Sequence, residues 1–166
     1  MDVEKTGILG FSAGGHLAAH YSNKYNCEEI TKIFNKVHKP YCTVLCYSVI
    51  SADPKIRHEN SFKNLLGHIP NEKEISEFSC ENMVTADTPP TFIWHTVEDQ
   101  SVPVQNSLRY AEALSNNGVS YSLHIYPYGR HGLSTADKMT FAEMTEKIAY
   151  AHDWLAQFEK WIEFQK

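Results

Sequence analysis

Apolar and polar positions alternate along the chain in two rhythms. Four short runs are apolar almost throughout or rich in β-branched and aromatic residues: 6–11, 41–50, 91–97 and 121–126. The second contains Val44, Leu45, Val49 and Ile50, and the third contains Phe92, Ile93, Trp94 and Val97. The second run lacks strict alternation, which suits a parallel strand covered on both faces. Between them the spacing turns helical. Leu17 and Tyr21 are four apart in a helix expected over 14–24. Val104, Leu108, Ala111 and Leu114 step by four, three and three, which predicts a helix over 105–117 stopped by Gly118. The longest stripe joins Met144, Ile148, Ala151, Leu155, Phe158 and Ile162, predicting one helix over 141–164 with Trp154 and Trp161 as packing residues.

The remaining stretches break both rhythms. Residues 26–39 are polar with scattered Ile30, Ile33 and Phe34, enough for a surface turn of helix. Residues 51–70 form an irregular excursion with a short helical piece around Asn64-Leu65-Leu66-Gly67. Asn71 and Glu74 then stand as a capping box opening a short helix that holds Ile75 and Phe78. Strands joined through helices predict an α/β fold: a three-layer sandwich of about four parallel strands flanked by helices with right-handed crossovers. The chain is expected to form one domain over 1–166, with 51–82 as an excursion bordering the site.

Composition narrows the function classes. At 166 residues with 42% hydrophobic content the chain can build a core. Its formal charge of -5 and lack of a basic run argue against nucleic acid as a partner. The longest apolar runs fall far short of the ~20 residues that span a bilayer, so no membrane partner is expected. Cys27, Cys42, Cys46 and Cys80 have no zinc spacing and are expected as free, mostly buried thiols. His16 and His20 are four apart but lack the glutamate of H-E-x-x-H, so a structural role is expected and no metal. Nothing at the amino end resembles a secretory signal, and the expected location is cytoplasmic.

The chemistry gathers where strands end. Gly10-Phe11-Ser12-Ala13-Gly14 has the form G-x-S-x-G, at a strand-to-helix turn. Such a turn pushes the Ser12 hydroxyl outward on a strained backbone, with Gly10 and Gly14 expected to spare it colliding Cβ atoms. Ala13 would open the helix with an N–H free for an oxyanion. Two other readings stay open at this turn: Ser12 as a helix N-cap, and the glycines as an anion-binding loop. A Walker-type lysine and a G-x-G-x-x-G are both missing. Asp99 follows the third strand and His131 follows the fourth, between Gly129 and Gly132. A histidine base and an orienting carboxylate are what a serine hydroxyl needs to become a nucleophile. Asp99 is preferred over its neighbour Glu98, and Asp53 is a rival acid near the second strand. His95 and His124 lie inside strands and are expected to pack.

The set Gly7-Ile8-Leu9-Gly10-Phe11-Ser12-Ala13-Gly14-Gly15-His16-Leu17-Ala18, Asn64-Leu65-Leu66-Gly67, Pro90-Thr91-Phe92-Ile93-Trp94-His95-Thr96 with Asp99 and Val102-Pro103, and Gly129-Arg130-His131-Gly132-Leu133 resembles α/β-hydrolase esterases. The branch it is most similar to is the acetyl-esterase and acetyl-xylan-esterase-like one, related to the hormone-sensitive-lipase group. The similarity is to the carboxyl-terminal half. It implies a serine carboxylic-ester hydrolase for short-chain acyl esters, often acetyl groups on sugars, with no cofactor. Ser12 would be nucleophile, His131 base, Asp99 orienting acid and Ala13 an oxyanion donor, while the excursion would border the acyl or alcohol pocket. Only about eleven residues precede Ser12, so a truncated hydrolase is expected, without the H-G-G-G-like loop that supplies further oxyanion donors. Two alternatives follow: a weak or inactive fragment serving as an interaction module, and a serine peptidase of the same fold. The strand over 6–11 would be left with an open edge, favouring a homodimer.

Overall fold

The computed structural model describes residues 5–34, 36–137 and 145–165. Four strands, β1 (Ile8–Phe11), β2 (Thr43–Cys46), β3 (Thr91–Thr96) and β4 (Tyr121–Tyr126), form one parallel sheet in the order β1-β2-β3-β4. Gly10, Leu45, Ile93 and Leu123 share one register line across it. The helices are α1 (Ala13–Lys24), α2 (Glu28–Ile33), α3 (Glu59–Leu66), α4 (Glu72–Phe78), α5 (Gln105–Asn116), α6 (Glu146–Ala151) and α7 (Trp154–Glu163).

Alternate residues of β2 and β3 serve opposite faces, because successive side chains of a strand point apart. Leu45 and Ile93 pack with Ala18 and Ala19 of α1 and with Tyr110 and Leu114 of α5. Val44, Cys46, Phe92 and Trp94 pack on the other side with Ala151 and Trp154. Trp94 and Trp154 stack at 5.2 Å. These are the two helix layers around a central sheet expected of an α/β sandwich. β2 and β3 are buried along their whole length, which explains why their sequences do not alternate.

Two elements differ from the sequence reading. The second strand stops at Cys46 because Tyr47 takes a φ of 40°, turning the chain out of the sheet. The last helix is two helices. His152 N–H donates to Ala149 O and Leu155 N–H to His152 O, three-residue spacings that tighten the turn between α6 and α7. Both sides of that turn are tied to one loop, since His152 Nδ1 lies 2.7 Å from Thr135 O and Trp154 Nε1–H donates to Ser134 O at 3.2 Å. Phe141 and Met144 of the expected stripe lie outside the described residues.

The smaller features follow from local chemistry. Asn71 and Glu74 form the reciprocal capping box that opens α4. Gly118 takes a φ of 67° just past α5. All four cysteines are free. No described helix is long and apolar enough to cross a membrane.

Candidate active site

β1 enters the site and α1 leaves it, with Ser12 between them at φ 52° and ψ -121°. That conformation is costly for a residue with a side chain and persists because its backbone is held from several directions. Ser12 N–H donates to Cys46 O, while Ser12 O accepts from Gly15 N–H and Val49 N–H. The elbow is thus fastened to the end of β2. A Cβ on Gly10 would stand 2.7 Å from Gly15 Cα, so this glycine is required across the turn. The expectation for Gly14 needs correcting: nothing lies within 4 Å of where its Cβ would be. The crowded partner is Gly15, whose Cβ would run into Ser48 of the neighbouring chain segment.

Ser12 makes no side-chain cap to α1. Its hydroxyl lies 2.7 Å from His131 Nε2. On the far side of the ring, His131 Nδ1 lies 2.6 Å from Asp99 Oδ2. The carboxylate only accepts, so Nδ1 carries the ring hydrogen and Nε2 is left as acceptor for the Ser12 proton. The other carboxylate oxygen, Oδ1, accepts from Ser101 N–H and Val102 N–H, each at 2.9 Å. Asp99 is only 4% exposed. Burial alone would raise its pKa, but the hydrogen bond from His131, the polar edge of His95 and the Val102 N–H outweigh it and hold the carboxyl well below the usual range.

The other candidate residues of the sequence have partners of their own. Glu98 is occupied elsewhere, its Oε2 accepting from Gly129 N–H at 3.0 Å. Asp53 pairs with Arg109 at 2.8 Å and accepts from Lys55 N–H. His124 stacks on Phe92 at 4.8 Å and bonds Ser122. His16 is buried, with Nε2 donating to Phe78 O at 2.9 Å. No group of metal-ligating side chains forms among the described residues.

Two contacts had no reading in the sequence. The Tyr47 ring meets the His131 ring edge-on at 5.1 Å, and its hydroxyl accepts from Ser134 N–H at 2.9 Å. Burial foremost pushes the Tyr47 phenol up to about 12, so it stays neutral beside the imidazole. The second is His95, 3.3 Å from Asp99 Oδ2 and fully buried. Its four-residue spacing from Asp99 was visible, but only a tight turn after β3 brings the two together.

Next to the elbow is a cavity of about 320 Å3 lined by Ala13, Leu17, Val49, Phe62, Leu65 and Phe78 among others. The excursion therefore supplies one wall of a largely apolar cup beside Ala13. As first residue of α1, Ala13 has a backbone N–H that the helix itself does not use.

The sequence pattern of the prolyl oligopeptidase family, Peptidase_S9, matches residues 1–158. The chain is 38% identical over 147 residues to an endo-1,4-beta-xylanase B of Butyrivibrio fibrisolvens, covering 86% of this chain and 22% of that one. It is 38% identical over 130 residues to an acetylxylan esterase of Xylanibacter ruminicola, covering 76% and 25%. Among solved structures, an acetyl ester-xyloside bifunctional hydrolase from Caldicellulosiruptor lactoaceticus superposes with a TM-score of 0.78 at 43% identity, over 95% of this chain and 55% of that one. The chain spans about a quarter or less of these curated relatives. With the family pattern running along nearly all of the sequence and the parallel sheet matching a solved hydrolase, this chain belongs to the prolyl oligopeptidase family of α/β-hydrolases.

Proposed function

We propose that this chain carries the nucleophile, base and acid of a serine carboxylic-ester hydrolase for short-chain acyl esters, acetyl groups on sugars foremost. The supporting observation is the unbroken relay from Ser12 Oγ through both nitrogens of His131 to Asp99, at 2.7 and 2.6 Å. Ser12 Oγ attacks the ester carbonyl as its proton passes to His131 Nε2. The resulting oxyanion takes the Ala13 N–H. As the intermediate collapses, the ester C–O bond breaks and the alcohol leaves with the proton from His131. Water then repeats the sequence on the acyl-serine, releasing the acid. Asp99 stays ionised throughout and stabilises the imidazolium. The names of the acetylxylan esterase and the acetyl ester-xyloside hydrolase support acetylated xylan-type sugars as the substrate class.

The test is covalent labelling by a fluorophosphonate together with turnover of p-nitrophenyl acetate. Labelling of Ser12 and turnover above a Ser12→Ala control are expected. A folded chain that does neither is instead the interaction module. The family match favours a second reading, a serine peptidase, since the same groups cleave amides. Turnover of an acyl-aminoacyl p-nitroanilide faster than the acetyl ester would select it.

Self-association belongs to the same proposal. β1 is a terminal strand of the sheet, Leu9 on it is 47% exposed, and a groove of about 460 Å3 runs beside it between Leu9, Tyr41 and Phe158. Two copies pairing along this edge would cover it. Light scattering at micromolar concentration should report a dimer, and a well-folded monomer refutes it.

A further inference from the structure

His95 lies within β3, four residues ahead of Asp99, and its ring is used on both sides. Nδ1 is 2.8 Å from Ser107 Oγ on α5, and Nε2 is 2.9 Å from Val102 O. Nε2 also lies 3.3 Å from Asp99 Oδ2, the same oxygen that receives His131. A carbonyl and a carboxylate both accept only, so Nε2 bears the ring hydrogen, and Nδ1 takes the hydrogen of the Ser107 hydroxyl. The hydrogen-bearing edge of His95 thus faces the working oxygen of Asp99.

The contacts close a cycle. Asp99 Oδ1 holds the N–H of Val102, and His95 holds the carbonyl of the same residue. Turning the Asp99 carboxyl would break the bond to Val102 N–H and carry Oδ2 away from the polar edge of His95. Any buried histidine needs partners for its ring nitrogens; what sets His95 apart is that both groups facing its Nε2, Val102 O and Asp99 Oδ2, belong to the loop that carries the acid.

We propose that His95 is a positioning residue: by holding Val102 and facing Oδ2, it keeps the Asp99 carboxylate turned toward His131. The proposal rests on the reading of Asp99 as the orienting acid.

The experiment compares the whole chain with His95→Leu, His95→Gln and His95→Asn. Glutamine can place an amide N–H near the Nε2 position, whereas asparagine is too short to reach Val102. Three quantities are measured: the rate of Ser12 labelling by a fluorophosphonate, the low-field proton resonance of His131 Nδ1–H, and the urea midpoint. His95→Leu and His95→Asn should slow labelling by ~10- to 100-fold, the cost typical of losing a partner that orients a functional ligand, and should displace the resonance. His95→Gln should bring both back toward wild type even where its midpoint stays low. Equal behaviour of the Gln and Asn variants, or labelling that simply tracks the midpoint with an unmoved resonance, overturns the proposal. If the wild-type chain is not labelled at all, the esterase reading fails, and the resonance still decides whether His95 sets the His131 to Asp99 bond.

Discussion

Ser12 and His131 touch at 2.7 Å although they follow β1 and β4, the two outermost strands of the sheet. Neighbouring strands are ~4.8 Å apart, so three intervals put roughly 14 Å between those strand ends. The loop after β4 must therefore travel back across the ends of β3 and β2. Each strand supplies a support on the way. Thr96 Oγ1–H donates to Gly129 O, Glu98 accepts from Gly129 N–H, and the Tyr47 hydroxyl accepts from Ser134 N–H.

That bridge makes Gly129 a sensitive point. Its φ is 126°, and an added Cβ would meet Leu133 Cδ1 at 2.6 Å. Gly129→Ala should displace the loop and lower the labelling rate of Ser12 by about 10²-fold, the usual effect of misplacing a reacting group by ~1 Å. A variant that folds and labels at the wild-type rate would show that the loop does not position His131.

Asp99 and Glu98 are adjacent carboxylates with different partners. Asp99→Asn removes the acceptor of His131 Nδ1–H and, on the proposed mechanism, should cut acyl transfer by ~10⁴-fold. Glu98→Gln keeps an oxygen for Gly129 N–H and should cost less than tenfold, on the scale of one neutral hydrogen bond replacing a charged one. Rates on p-nitrophenyl acetate for both variants check the order, and a reversed order would move the acid role to Glu98.

The sheet and the chain order of serine, aspartate and histidine were legible because each leaves a local trace: an apolar run, then a turn with a polar residue. The capping box at Asn71 and Glu74 was legible for the same reason. What was not legible depends on residues far apart. Nothing local marks Tyr47 as the point where β2 ends, since a positive φ at tyrosine is enforced by surroundings. The apolar stripe of the last helix runs unbroken through His152 and Asp153, and the break there comes from ties to Ser134 and Thr135. The elbow glycines show the limit most clearly, because the motif names Gly14 while the packing demand falls on Gly15.

Substitution by alanine separates those glycines. Gly10→Ala and Gly15→Ala each force a Cβ into occupied space and should destabilise the fold by ~1–3 kcal/mol. Gly14→Ala meets open space in a helical turn and should be neutral or stabilising by up to ~1 kcal/mol. Urea denaturation of the three variants tests this. Equal losses at all three would mean that backbone conformation, and not contact, sets the requirement.

His16 gives the fold an acid-sensitive element. Burial foremost lowers its pKa, with the bond to Phe78 O opposing and His20 adding to the effect; His20 itself is lowered by burial and then by Lys24. The unfolded ring takes up a proton near ~6.5, while the folded ring does so only at lower pH. This contribution is therefore complete above ~6.5 and is lost as the pH falls from there toward the folded value. His16→Gln, which keeps a donor for Phe78 O, should show a smaller drop in urea midpoint between pH 7.5 and 5. An unchanged drop would assign the acid sensitivity to other groups.

Leu65 offers a way to ask what the cavity beside Ala13 holds. It is 54% exposed, so changing it removes little from the core, yet it lines the cup together with Leu17 and Val49. If the acyl chain of the ester rests there, each buried methylene contributes ~0.8 kcal/mol, or about fourfold in kcat/KM. Leu65→Trp would fill the space and erase that gain, lowering the butanoate-to-acetate ratio by roughly fifteenfold for two methylenes while leaving acetate nearly unchanged. The p-nitrophenyl ester series measures the ratio directly. If the variant slows both esters equally, the cup holds the alcohol side, because the p-nitrophenyl group is common to both substrates and only a clash with it would affect them alike.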